Sequence, residues 1–129
     1  MRLLLDTHVL LWWVTDDPKL PDRCAAWIED KSHDVAISPV SAYEIRFKAQ
    51  KGLLPHGMAA IEEIERVADQ AGFGSLPLTW SHAIAAAALP LPHRDPFDRL
   101  LAGQAIIEGY SILSADTAFD TLAAPRMWS

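Results

Sequence analysis

Short apolar runs alternate along the chain with longer stretches of helical character, and this alternation constrains the fold most strongly. The runs cover 2–5, 35–37, 76–78 and 110–113, and a shorter fifth run covers 127–128. The first and fourth runs lack a regular polar and apolar alternation, which favours strands that are buried on both faces of a parallel sheet. We therefore predict a three-layer α/β/α fold with a central parallel sheet of four to five strands.

The stretches between the runs carry helix start and stop signals. Ser38 is a good N-cap before Pro39, and Gly109 follows a stretch that begins at Pro96. We predict helices over 9–14, 21–30, 39–51, 58–71, 79–89, 96–108 and 117–122. The 129 residues fit a single domain over 1–129, since most domains have about 100–150 residues.

The amino-acid composition limits the class of protein and the cellular compartment that we expect for it. Hydrophobic residues make up 50% and charged residues 22%, which is typical of a folded globular domain. The single cysteine, Cys24, excludes an internal disulfide and a cysteine-based zinc cluster, and it favours a reducing cytoplasm. The apolar run before Asp6 is too short for a signal-peptide core, and the stretch 83–89 is far below the roughly 20 residues of a membrane span. We therefore expect a cytoplasmic location with no membrane contact.

The charge balance argues against a simple electrostatic binder of nucleic acid. The chain has 17 acidic and 11 basic Lys and Arg residues, with a formal net charge of −6. Domains that bind nucleic acid through charge alone usually carry a basic surplus or stripe. A nucleic-acid partner would therefore need an attraction supplied by something other than the protein's own net charge.

Carboxylates follow several predicted strands at the point where a parallel sheet forms its binding edge. Asp6 follows the first run directly, Asp116 follows the fourth after two residues, and Glu44 lies in the helix after the second. Asp95 and Asp98 open the helix that leads into the fourth run. Carboxylates that cluster in this way repel each other unless a cation is present. The pattern indicates a site for a hard divalent ion such as Mg²⁺ or Mn²⁺.

Each of these acids also has a purely structural interpretation. Asp6, Asp95 and Asp116 could each cap the helix that follows, and Asp98 suits a helix dipole. Glu44 lies three residues after Ser41 and could form a capping box with it, but the better helix start at Ser38 would leave Glu44 in the second turn without a capping role. The shared location of the acids is what favours a functional site.

Other residues exclude common chemistries or suggest a substrate contact. The sequence has no G-x-S-x-G, Walker loop or G-x-G-x-x-G, and its five histidines show no zinc-helix pair. Lys48 shares the helix of Glu44, while Arg94 and Arg99 flank the second acidic pair. These three could form a positive fringe that positions phosphates, or an ordinary solvated surface with charges of both signs.

Four segments, taken in order, resemble the motifs of PIN-domain proteins. They are LLDTH at 4–8, SAYEI at 41–45, HRDPFDRLLAGQA at 93–105 and LSAD at 113–116. The resemblance is strongest to the VapC-like toxins of bacterial type II toxin–antitoxin systems, covers essentially the whole chain, and is most specific at 93–105. It implies a parallel sheet flanked by helices, a homodimer, and inhibition by a small antitoxin encoded beside the toxin.

The resemblance also implies an activity and a set of site residues. The activity is a Mg²⁺- or Mn²⁺-dependent endoribonuclease with one or two ions, which leaves 5′-phosphate and 3′-hydroxyl ends. The family's catalytic and metal-binding acids correspond to Asp6, Glu44, Asp98 and Asp116. Asp95 is similar to an extra acid of one subgroup, and Ser114 to a small hydroxyl residue that, with Lys48, Arg94 and Arg99, could position the substrate. Two bound ions would reduce the net charge of −6 to −2.

Two other functional classes remain as alternatives. A phospho-accepting receiver domain has paired acids after its first strand and a lysine after its last, whereas here Asp6 stands alone and no lysine follows Lys51. A catalytically inert interaction module would keep the fold and bind only its partner. The sequence leaves open the RNA target, the number of ions, the toxin–antitoxin stoichiometry and any role of Asp95 or Asp120 at the metal.

Overall fold

The computed structural model describes residues 1–54, 57–90 and 94–129. Its five strands form one parallel sheet in the order β3–β2–β1–β4–β5. The strands are β1 (Arg2–Leu5), β2 (Asp34–Ile37), β3 (Gly74–Ser75), β4 (Ser111–Leu113) and β5 (Arg126–Met127). The helices are α1 (Thr7–Val14), α2 (Asp22–Glu29), α3 (Pro39–Gln50), α4 (Gly57–Ala71), α5 (Trp80–Ala87) and α6 (Pro96–Glu108), and a 3-10 helix covers Thr117–Leu122.

Helices cover both faces of the sheet, which confirms the predicted α/β class with a central parallel sheet. Successive residues of β1 enter different cores: Leu4 packs in a cluster with α6, and Leu5 packs in a cluster with α1, α2 and α4. Both leucines are fully buried. This explains why the run of three leucines shows no polar alternation, since each face of the strand meets a helix layer.

The edge strand β3 lies earlier than predicted. The sequence suggested 76–78, whereas the pairs with β2 are Ala36 with Gly74 and Ile37 with Ser75. The Leu76 N–H still donates to the Ile37 carbonyl at 2.8 Å. Pro77 follows and has no N–H to donate, so the ladder cannot continue through the predicted segment.

The helices α5 and α6 pack closely through a glycine. A Cβ atom at Gly103 would lie 2.7 Å from the His82 carbonyl oxygen, so this close approach requires glycine. At its end, α6 turns at Gly109, whose φ of 74° lies in the left-handed region. The packing of α5 against α6 fixes the direction of α6, whose first turn lies at the binding edge of the sheet.

The strand order reverses beside β1, because β2 lies on one side of it and β4 on the other. Ligands of open parallel sheets bind beyond the carboxyl ends of the strands at such a point. Residues that follow β1 and β4 are therefore those that the fold brings to a binding position. Among the helices of the described ranges, none is long and apolar enough to span a membrane.

Candidate active site

Asp6 follows β1 and is held by two contacts to β4 and the residue after it. Its N–H donates to the Leu113 carbonyl at 3.1 Å, and its Oδ2 accepts a hydrogen bond from Ser114 Oγ at 2.6 Å. The side chain is buried, and its carboxylate is directed to Ser114 rather than to a capping bond in α1. Burial raises the pKa of Asp6 above its ordinary value, although the Ser114 hydrogen bond and the nearby His8 oppose the rise.

Ser114 joins two of the predicted acids. Its hydroxyl donates to Asp6 and accepts a hydrogen bond from the Asp116 N–H at 3.0 Å, and the side chain is fully buried. The buried hydroxyl is engaged with the two acids that it holds in place. A contact of Ser114 with a phosphate stays a prediction.

Glu44 projects from α3 into the same region and is almost fully buried. Its Oε2 accepts a close hydrogen bond from Lys48 Nζ, one turn later in the helix. Within the described residues its other oxygen, Oε1, is buried and has no hydrogen-bond partner. Ser38 caps α3 by accepting from the Val40 N–H at 3.1 Å, which confirms that Glu44 has no capping role. A buried carboxylate oxygen without a donor is costly, and it is an available ligand for a cation.

The first turn of α6 carries the remaining acidic pair. Asp95 Oδ1 accepts from the N–H groups of Phe97 and Asp98 at 2.9 and 3.3 Å, so its capping interpretation is confirmed. The pKa of Asp98 is raised from 3.8 to about 8. Burial is the largest cause, and the negative charges of other acids add to it, in the order Asp95, Asp6, Glu44 and Asp116. The charges of the other predicted acids therefore act on Asp98 and oppose its ionisation.

Asp116 caps the 3-10 helix and also lies close to another of the predicted acids. Its Oδ1 accepts from the Ala118 N–H at 2.9 Å at the start of the 3-10 helix, and the residue is exposed. A cleft of about 300 Å³ lies between Asp6 and Asp116 and is also lined by His8, Val9 and Trp12. Asp116 therefore borders an open cleft that reaches the buried Asp6.

The acids fit a hard cation in chemistry, although they do not form a ready coordination shell. Within the described residues, no three acidic, histidine or cysteine side chains lie close enough together to hold a metal ion as they stand. Ionised carboxylates without a cation between them repel each other. The buried Oε1 of Glu44 has no hydrogen-bond donor within the described residues, and the pKa of Asp98 is raised by negative charges around it. A bound cation would compensate both groups. The residues present therefore fit Mg²⁺ or Mn²⁺, which prefer oxygen ligands.

The family model described as PIN domain matches residues 3–125. The chain belongs to the PIN-domain family. This match covers the four motifs from which the resemblance was inferred, and it removes the receiver domain as an alternative. The first residue of the 93–105 motif lies outside the described residues.

One curated relative and several solved structures are similar to this PIN domain over nearly their whole length. Ribonuclease VapC22 of Mycobacterium tuberculosis (strain ATCC 25618 / H37Rv) is 26% identical over 125 residues, which cover 96% of this chain and 94% of the relative. VapBC2 from Rickettsia felis, solved bound to a DNA fragment from its promoter, has a TM-score of 0.72 at 12% identity and covers 98% of both chains. DNA-bound VapBC from Salmonella typhimurium has a TM-score of 0.66 at 18% identity, covering 99% of this chain and 97% of the other. These structures share the fold of this PIN domain.

Two of the predicted basic residues of this PIN domain have contacts within the protein. Lys48 is bonded to Glu44, and burial would lower the pKa of its ammonium. The bond to Glu44 and the charges of Asp95 and Asp98 outweigh that effect and raise it. Arg99 donates to carbonyl oxygens at and after the end of α5, at distances of 2.7–3.0 Å, namely those of Ala87, Leu89 and Pro90.

These contacts give two of the predicted residues a role within the protein. The Arg99 guanidinium ties α5 to α6, and its contact with a phosphate stays a prediction. Lys48 interacts with the acids instead of pointing to solvent. Arg94 is exposed directly before Asp95, where a phosphate contact remains a prediction.

Two polar residues of the PIN domain were assigned no role at the site from the sequence. The Thr7 hydroxyl donates to Ser41 Oγ at 2.9 Å, and both residues are buried. The bond links the start of α1, next to Asp6, to the turn of α3 that precedes Glu44. The available signal was their position, since each lies within three residues of a predicted site acid. Asp120 pairs with Arg126 at 3.1 Å, which gives it a structural contact.

Proposed function

We propose that this chain is a divalent-metal-dependent endoribonuclease and the toxin of a type II toxin–antitoxin pair, with residues 1–129 acting as one PIN domain. The observation that carries the proposal is the buried carboxylate of Glu44, whose Oε1 has no hydrogen-bond partner within the described residues. The pKa of Asp98, raised to about 8 by burial and by the charges of the other acids, supports it. The full-length similarity to Ribonuclease VapC22 supports RNA as the substrate class. The PIN-domain match and the shared fold with VapBC structures support the toxin assignment.

We propose Mg²⁺ or Mn²⁺ as the cofactor of this centre. Its ligands would be Asp6, Glu44, Asp98 and Asp116. Asp95 adds negative charge, and one of its oxygens is occupied by the cap of α6. When bound, such an ion makes water a nucleophile near neutral pH and balances the charge of the phosphate.

The protein's own residues prepare the site for that chemistry. Ser114 holds the carboxylate of Asp6 and the backbone of Asp116 in a fixed relation. Lys48 places a positive charge against Oε2 of the buried Glu44. Arg94 and the N-terminus of α6 lie beside the acids, where a phosphate of the RNA could be positioned.

The proposed partners are an RNA substrate, a small antitoxin and a second copy of the chain. The structural neighbours solved as VapBC complexes support the antitoxin. A largely apolar groove of about 730 Å³ between α3 and α6 supports the homodimer, because exposed apolar patches mark protein interfaces. Its lining includes Tyr43, Phe47, Leu78, Phe97 and Leu100.

We propose that the protein acts in the cytoplasm, where RNA is present and the free thiol of the buried Cys24 persists.

The products of RNA cleavage test the reaction type. Purified protein is incubated with a mixed RNA pool and Mg²⁺, and the new ends are analysed by end-specific ligation. Attack by water predicts 5′-phosphate and 3′-hydroxyl ends, and EDTA abolishes their appearance. Cyclic phosphate ends would contradict the metal mechanism, because they result from attack by the ribose 2′-hydroxyl. Absence of cleavage under all conditions would favour the inert interaction module.

A further inference from the structure

Lys48 and Glu44 form an ion pair, and the two carboxylate oxygens of Glu44 have different surroundings. Lys48 Nζ contacts Oε2, whereas Oε1 is buried and has no partner among the described residues. The glutamate side chain is only 4% exposed and the lysine side chain 25% exposed. An i,i+4 pair on a solvated helix surface is weak and readily exchanged. In this pair the carboxylate is instead buried, and only the lysine is partly exposed.

Packing and charge hold the ammonium group at the acids. Its nitrogen lies 5.7 Å from the centre of the Phe97 ring, in a cation–π arrangement. Its charge also interacts with Asp95 and Asp98 at the start of α6. Lys48 therefore lies within the acidic site and is bound to one of its proposed metal ligands.

We propose that Lys48 is a built-in cation of this centre, which holds Oε2 of Glu44 and thereby limits the site to one divalent ion before RNA binds. This inference rests on the metal centre of the proposed function. Two-ion sites hold their ions about 3.5–4 Å apart, and Glu44 would need both of its oxygens free to give one oxygen to each of two such ions. With Oε2 occupied, Glu44 offers Oε1 alone. The ammonium also repels a second divalent cation at the same carboxylate.

The number of bound ions in the absence of RNA tests this assignment directly. Mn²⁺ is titrated into metal-free protein, and free Mn²⁺ is counted by electron paramagnetic resonance. We expect one Mn²⁺ per chain for the wild type and for Lys48→Arg, which keeps the charge. We expect two for Lys48→Met, which keeps the apolar stem of the side chain and frees Oε2. Lys51→Met is the matched control, because it removes a positive charge from the end of the same helix, where Lys51 stacks on Phe47, and it should bind one ion.

The outcomes separate the inference from the function on which it rests. Two ions in the wild type, or one in a folded Lys48→Met variant, would overturn the role of Lys48 and leave the metal centre intact. No ion in the wild type would overturn both. Folding of each variant is checked by its thermal melting curve, and Lys48→Gln replaces Lys48→Met if the latter does not fold. An Asp98→Asn variant that still binds the wild-type number of ions would show that the counted ion lies elsewhere.

Discussion

The hydroxyl of Ser114 lies 2.6 Å from Oδ2 of Asp6, so the residue after β4 holds the acid that follows β1. The two residues are 108 positions apart in the chain, and the parallel pairing of β1 with β4 brings them together. The same hydroxyl accepts from the Asp116 N–H. One small buried side chain thus organises two of the four proposed metal ligands, and several measurable consequences depend on this arrangement.

Replacing Ser114 with alanine should weaken both the fold and the activity. The buried Asp6 carboxylate loses its donor, which costs about 1–3 kcal/mol of unfolding free energy. Loss of a residue that orients a ligand typically lowers metal affinity or activity about 10–100-fold. Urea unfolding and RNA cleavage rates measure the two effects. Ser111→Ala, at the start of β4, is the control, and equal losses in both variants would contradict a specific role for Ser114.

The stability of the metal-free protein should fall as pH rises from about 4 to about 8. The pKa of Asp98 is raised from 3.8 to about 8 in the folded chain, so the native state retains a proton that the unfolded state has lost over this range. Denaturation in EDTA at several pH values measures the slope. Asp98→Asn should flatten it, whereas Asp69→Asn, at an exposed acid of α4, should not. An unchanged slope in Asp98→Asn would contradict the assignment.

Divalent ions should stabilise the protein most at the upper end of that pH range. An ion that binds only the native state at 100 times its Kd adds about 2.7 kcal/mol to the unfolding free energy. Thermal melting at pH 8 with and without Mg²⁺ measures this gain. The gain should largely disappear in Asp98→Asn. A gain of equal size in both proteins would mean that Mg²⁺ acts at another place.

Gly103→Ala should destabilise the fold through the contact between α5 and α6. The new methyl group would meet the His82 carbonyl oxygen at 2.7 Å, and backbone must shift to relieve the overlap. Overpacking of this kind costs roughly 1–3 kcal/mol. Gly74→Ala is the control, because a Cβ there meets only the Val35 carbonyl oxygen at 3.9 Å. Equal melting temperatures for the two variants would contradict this packing account.

The sequence was most informative where local signals agree with the fold. The bounds of α6 were predicted correctly because Asp95 and Pro96 mark its start and Gly109 marks its end. The convergence of the acids could be predicted because parallel strands end at a common edge. The third strand was misplaced because its pairing depends on the register with β2, and the apolar run chosen for it contains Pro77.

Side-chain roles were harder to predict than positions. Arg99 and Ser114 are predicted to contact the substrate, and each also forms hydrogen bonds within the protein that the sequence did not predict. The partners of Arg99 are carbonyl groups 9 to 12 residues earlier, whose directions depend on how α5 ends. The partner of Ser114 is 108 residues away. Such contacts depend on tertiary geometry, which spacing along the chain does not encode.

The rate of RNA cleavage by wild-type and Asp98→Asn proteins, purified in the same way and compared with Mg²⁺ and with EDTA, tests the central claim most directly. The account predicts cleavage by the wild type with Mg²⁺, none with EDTA, and a loss of roughly 100-fold or more in Asp98→Asn, since a ligand contributes at least as much as the residues that orient it. Asp69→Asn should cleave at the wild-type rate. Cleavage that persists in EDTA, or an Asp98→Asn protein as active as the wild type, would contradict the claim that these acids form a metal-dependent nuclease centre.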